Sequence, residues 1–213
     1  MATTAIEDIS SGTILGNDLV TRKNRASDSF FSFFQFLAWP ISFVCFYVRY
    51  KIHVKGIESF RTAPHPLIIV ANHISFSDSF LLHLVEGISS PHRPFRFTGV
   101  RKFNWGWLNF LAAIGFIDLI YTLFGVITVI PGQGLDKNLE KAKEIIKEGG
   151  VVVMYPEGRI MTDNKIGVFK AGASVLALQT GAMVLPVSFR RGTRRLIRKD
   201  LFVNIAQPMN IPN

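Results

Sequence analysis

The chain has 213 residues, 48% of them hydrophobic and 18% charged, with a mean hydropathy of +0.28. This length accommodates one domain with a substantial core, and the composition excludes global disorder. The 24 Lys and Arg outnumber the 15 Asp and Glu for a net +9, and Phe occurs 19 times against 4 Tyr. Such a basic, apolar chain suits an anionic membrane surface, an anionic substrate or nucleic acid. The single cysteine, Cys45, rules out an intrachain disulfide and a thiolate zinc cluster; its apolar surroundings predict a buried thiol.

Residues 1 to 28 read as a mobile polar tail. Met1 to Val20 lacks the basic and apolar regions of a signal peptide, so nothing argues for secretion. Phe30 to Val48 holds no charged residue and just reaches spanning length, but Pro40 near its centre predicts a split. Basic residues flank both ends: Arg22, Lys23 and Arg25 before, Arg49, Lys51 and Lys55 after. The expectation for residues 29–52 is therefore a bent helical pair lying in one leaflet, with a core-packed hairpin as the alternative.

Residues 53–213 read as an α/β domain. Strands are predicted at Leu67–Ala71, Phe95–Val100, Gly125–Ile130, Val151–Tyr155, Met183–Phe189 and Leu201–Ile205. Trp105 to Ile130 has one charged residue, Asp118, and three glycines; it reads as helix, break, helix, then strand. Leu135, Leu139, Ala142 and Ile146 recur at helical spacing, with Gly149 and Gly150 ending that helix; Ala171–Thr180 is a further helix. Strands alternating with helices predict a mixed, largely parallel central sheet flanked by helices.

Two segments carry chemistry. Asn72-His73-Ile74-Ser75-Phe76-Ser77-Asp78 follows a predicted strand directly, where α/β proteins place sites. Residues five apart on a helix are rotated by about 140° and do not face each other. His73 and Asp78 meet only if His73 lies in the turn and Asp78 in the first helical turn. The pair would then be a base and the carboxylate that orients it. The alternative is a loop histidine beside an ordinary helix-start acid. Tyr155-Pro156-Glu157-Gly158-Arg159 also ends a strand, and its turn presents a carboxylate together with a guanidinium suited to phosphate. Its alternative is a surface turn with an ion pair.

Asn72-His73-x-Ser75-x-x-Asp78 resembles the His-x4-Asp block of the glycerolipid acyltransferase family, which includes the bacterial 1-acylglycerol-3-phosphate acyltransferases. Tyr155-Pro156-Glu157-Gly158, Phe169-Lys170-x-Gly172 and Val184-Leu185-Pro186-Val187 resemble later blocks in the same order. Val54-Lys55-Gly56 and Val100-Arg101-Lys102 also fit. The resemblance implies transfer of a fatty acyl group from acyl-CoA or acyl carrier protein to a lysophospholipid hydroxyl, with 1-acylglycerol 3-phosphate as the acceptor. It implies His73 and Asp78 as catalytic residues and no cofactor or metal beyond the donor. Glu157, Gly158, Arg159 and Lys102 are the candidate substrate-binding residues. The sequence departs from the family pattern at Pro131, where an Arg that helps hold the acceptor phosphate is usual, and at Arg159, one place early. Another acceptor, or an inactive membrane-binding relative, is the alternative.

No G-x-S-x-G and no placed Cys offers a nucleophile. His53, His65, His83 and His92 read as surface or packing residues. The basic run Arg190 to Lys199 should lie on a loop; with no nucleic-acid module around it, anionic lipid is the expected partner. The expected location is the cytoplasmic face of a membrane, peripheral or monotopic rather than spanning.

Overall fold

The structure, a computed structural model, describes residues 26–87, 90–100, 106–161, 166–194 and 198–211. In chain order the elements are α1 (Ala26–Arg49), β1 (Tyr50–Lys55), α2 (Ile57–Arg61), β2 (Leu67–Ala71), α3 (Asp78–Glu86), β3 (Phe95–Gly99), α4 (Gly106–Ala113) and α5 (Phe116–Phe124). Then follow β4 (Ile127–Thr128), α6 (Leu135–Lys147), β5 (Val151–Met154), α7 (Gly172–Thr180), β6 (Met183–Arg194) and β7 (Lys199–Ile205). The strands form one seven-stranded sheet in the order β1-β7-β6-β2-β5-β3-β4. All neighbours are parallel except β6 and β7, so the mixed, largely parallel sheet is as expected.

The alternation of side chains along the central strands builds two cores. Leu67 and Ile69 of β2 and Val151 and Val153 of β5 face one layer with Phe60, Leu81, Leu82 and Phe95. Ile68 and Val152, pointing the other way, meet Ala142, Ile146, Leu176 and Ala177 of α6 and α7. Both strands are therefore buried on both faces, which explains their uninterrupted apolar runs.

Several expectations are corrected. α1 is one continuous helix from Ala26, so the tail does not extend to residue 28 and Pro40 does not divide the segment. Pro40 is exposed, and the helix is fixed on both sides of it. Before it, Gln35 is fully buried and bonds the backbone of Phe95 in both directions, at 2.8 and 3.0 Å. After it, Phe46 packs into the core. Tertiary anchoring thus holds a helix through one missing backbone bond. Cys45 lies on the exposed side of α1, not in the core.

β1 went unrecognised and straddles residue 52, following α1 with no linker. The Gly125–Ile130 strand shrinks to Ile127–Thr128 because the segment ends are used elsewhere. Val126 N–H bonds Tyr121 at the end of α5, and Ile130 is held through both backbone groups by the Asn138 side chain. β6 runs on to Arg194, so the first part of the basic run is strand rather than loop. The helix-break-helix reading holds for α4 and α5, which meet at 80°.

Candidate active site

β2 delivers the chain to the sheet's C-terminal edge at Ala71. Asn72 then holds the turn against β6: its Oδ1 accepts from Phe189 N–H (2.6 Å) and its amide donates to the Phe189 carbonyl (2.9 Å). The N–H of His73 donates to Glu157 Oε2 (2.8 Å), and the His73 carbonyl accepts from Met161 N–H (2.6 Å). The turn is therefore fixed by β6, through Asn72, and by the loop after β5, through the His73 backbone, before the imidazole is considered.

His73 lies in the turn and Asp78 opens α3, so the two side chains meet. Asp78 Oδ2 accepts from His73 Nδ1 at 2.9 Å, and from the Ile74 and Ser75 N–H groups at 2.7 and 2.8 Å. The Asp78 side chain is 3% exposed, while that of His73 is 18% exposed. A carboxylate acceptor at Nδ1 requires the proton there, which leaves the lone pair on Nε2. Among the described residues Nε2 has no hydrogen-bond partner. The imidazole is thus oriented on one side and open on the other, which is the arrangement of a general base.

The Pro156–Gly158 turn stands behind that base. Glu157 is 4% exposed, and both oxygens are taken by backbone donors, His73 N–H and Gly167 N–H (2.9 Å). Its place is that of a brace joining two loops rather than of a group presented to substrate. Gly158 is exposed with φ +63, a left-handed conformation that suits glycine, and the Lys170 ammonium lies over it. Arg159 is exposed on the same turn. Lys102 and Arg101 fall outside the described residues.

Three contacts had no signal in the motifs. The Tyr155 ring stacks on His73, centroids 4.2 Å apart and 18° from parallel, with its hydroxyl 3.1 Å from Ser79 Oγ. Burial, and then the Asp78 carboxylate, push the Tyr155 hydroxyl far above its ordinary pKa, so it stays protonated. Arg191 Nη2 donates to the Ile74 carbonyl, reaching from β6 to the turn that carries His73. The sequence marks Arg191 only as one member of a charge run; which partner it finds is fixed by β6 lying beside β2. His65 and His92 are 2.9 Å apart, and His92 and His83 are buried. No group of three His, Cys, Asp or Glu that could hold a metal occurs among the described residues.

The family model described as Acyltransferase matches residues 51–190, from β1 into β6. The chain belongs to the acyltransferase family. It is 28% identical over 170 residues to the chloroplastic 1-acyl-sn-glycerol-3-phosphate acyltransferase of Arabidopsis thaliana, covering 78% of this chain and 43% of that one. A 1-acyl-sn-glycerol-3-phosphate acyltransferase of Borreliella burgdorferi is 27% identical over 154 residues, 71% of this chain and 56% of that one. The solved 1-acyl-sn-glycerophosphate acyltransferase PlsC of Thermotoga maritima superposes with a TM-score of 0.53 at 25% identity, covering 84% of this chain and 67% of that one. This chain spans less than half the length of its plastid relatives, 43% and 44%.

Proposed function

We propose that this acyltransferase-family chain transfers a fatty acyl group from a thioester, acyl-CoA or acyl carrier protein, to the free hydroxyl of 1-acylglycerol 3-phosphate. The observation that carries the reading is the His73–Asp78 pair, with Nδ1 held and Nε2 open. His73 Nε2 takes the proton of the acceptor hydroxyl as its oxygen bonds to the thioester carbonyl carbon. The tetrahedral adduct collapses with cleavage of the C–S bond, and the imidazolium returns the proton to the leaving thiolate. Asp78 holds the ring in the required tautomer and faces the positive charge that forms on it.

The naming of its relatives as 1-acyl-sn-glycerol-3-phosphate acyltransferases supports the choice of acceptor. Its phosphate needs a cation, and with proline at position 131 we assign that role to Arg159, seconded by Lys102 and by Lys170 across Gly158. The protein acts as a monotopic enzyme on the cytoplasmic face of an anionic membrane, where a water-soluble thioester can reach it. The packing of α1 supports this attachment over a span. Gln35 binds β3, while Arg49 leads directly into β1 at the far edge of the sheet. The helix therefore lies across the domain instead of projecting from it.

The test is thiol release from acyl-CoA in the presence of 1-acylglycerol 3-phosphate. His73→Ala is expected to lose about 10²–10⁴-fold in kcat with an unchanged melting temperature. Near-normal turnover by the folded variant would remove His73 from the mechanism.

A further inference from the structure

We propose that α4 and α5 form an elbow that inserts into the lipid leaflet beside the catalytic edge, as a second membrane contact continuous with α1. The proposal rests on the membrane-associated reading above and deepens it. The two helices meet at 80° around Ile114 and Gly115. Their outer surface is apolar: Trp107, Phe110 and Ile114 are 62, 64 and 61% exposed, and Phe116 and Leu119 are 46 and 52% exposed. Side chains of this size at this density are costly to leave in water and mark a contact surface.

Position in the fold says where that contact lies. The carbonyl of Phe124, at the end of α5, bonds Gln35, which also binds Phe95 at the start of β3. The Tyr121 hydroxyl donates to Val100, just past the other end of β3 (2.8 Å). α5 therefore runs antiparallel to β3, and its N-terminal part carries the elbow beyond the C-terminal edge of the sheet. His73 leaves β2 at that same edge, since β2 and β3 both run parallel to β5. An elbow in the leaflet would hold the base close to the depth at which a lipid hydroxyl sits.

The occupant is a lipid surface rather than a second copy because of the charges. The exposed face of α1 continues the patch, and α1 packs on α5. No charge interrupts Ser29 to Val48, while Arg49 and Lys51 lie exposed at its end and the Arg198 guanidinium sits 4.3 Å over the Tyr47 ring. Cations rimming an apolar patch meet the phosphates of an anionic bilayer. A second copy would bring the same cations, on a chain of net +9, against themselves.

The probe is vesicles of equimolar phosphatidylcholine and phosphatidylglycerol. With Trp39→Phe and Trp105→Phe, Trp107 is the sole tryptophan, and lipid brominated on its acyl chains should quench it. Phe110→Glu with Ile114→Glu, two exposed positions, should lower vesicle partitioning about tenfold or more while the melting temperature holds. His73→Ala should partition like the unmodified protein, so vesicle binding is read independently of turnover. The proposal is overturned if vesicle-bound protein shows an unquenched Trp107, or if the glutamate pair leaves partitioning unchanged. It is equally overturned if the pair instead dissociates a dimer that does not bind vesicles.

Discussion

Asp78 Oδ2 carries three hydrogen bonds, and only one of them belongs to the histidine. Asp78→Asn can keep an acceptor toward the Ile74 and Ser75 N–H groups, yet it loses the charge that selects the Nδ1–H tautomer. We expect a kcat loss of about 10²–10⁴-fold with little change in substrate KM, measured by thiol release. Arg159→Ala has the opposite signature. A lost charge-assisted contact of about 1.5–3 kcal/mol should raise the acceptor KM by roughly 10- to 150-fold and leave the thioester KM nearly unchanged. Equal performance of a neutral alcohol acceptor would show that no phosphate is recognised. The meeting of His73 and Asp78 was legible because both lie within a few residues of the end of β2. Tyr155 over the imidazole and Arg191 on the Ile74 carbonyl were not, because strand order in the folded sheet decides those contacts. His83, read as a packing or surface histidine, is a packing one: it is enclosed between Phe95 and Phe97, and among the described residues neither nitrogen has a hydrogen bond. Burial, and then Arg93, lower its pKa to about 3. Below pH 6.5 the unfolded chain takes up a proton that the folded one refuses, so this contribution to stability is present above pH 6.5 and is lost as pH falls toward 3. Between pH 7 and pH 5 it should cost about 2 kcal/mol. His83→Leu should lose that part of the slope in urea titrations at the two pH values; identical slopes would refute the assignment.

Among the elements, the central strands were legible because burial on both faces demands continuous apolar runs, as in Leu67–Ala71 and Val151–Met154. β1 was hidden because its Tyr50-Lys-Ile-His-Val-Lys55 pattern follows α1 without a turn signal, and it pairs with β7 nearly 150 residues later. Pro40 misled for the reverse reason: a local rule against helix continuation is overridden by Gln35 and Phe46 anchoring both halves. The join between β1 and α2 depends on Gly56. Its φ is +81, and a Cβ there would run into the carbonyl oxygen of Ile205 at the end of β7. Gly56→Ala must therefore adopt a disfavoured conformation and also push apart two backbones. We expect a loss on the order of 3 kcal/mol or more, read as a lower melting temperature. Gly132→Ala, also at positive φ but with nothing within 4 Å of its Cβ, separates the two costs. It should lose only about 1 kcal/mol, the conformational part. Equal losses at the two sites would mean that the Ile205 contact is unimportant.

At the scale of the whole molecule, the proposed attachment to a bilayer turns on α1. Its 24 residues could span a hydrocarbon core, at about 36 Å. Its N-terminal half is nevertheless fixed to β3, where Asp28 lies 3.8 Å from the Arg96 guanidinium and Gln35 holds Phe95. Its C-terminus runs into β1, five strands away in the sheet. Five strand spacings amount to about 24 Å, so the helix is laid across the domain much as its length permits. To cross the membrane it would have to leave the Phe95 backbone unpaired or pull the sheet into hydrocarbon, and each unsatisfied backbone group there costs several kcal/mol. An in-plane α1 keeps both ends on one side and turns the Cys45 face to the lipid. With protein added to the outside of preformed vesicles, Ser27→Cys and Lys51→Cys, each in a Cys45→Ser background, should both react with a membrane-impermeant maleimide. Cys45 in the unmodified chain should react in solution and be protected once lipid is present. If either end reacted only after the vesicles were lysed, α1 would be a span, and the Gln35–Phe95 bonds would have to break for the protein to bind.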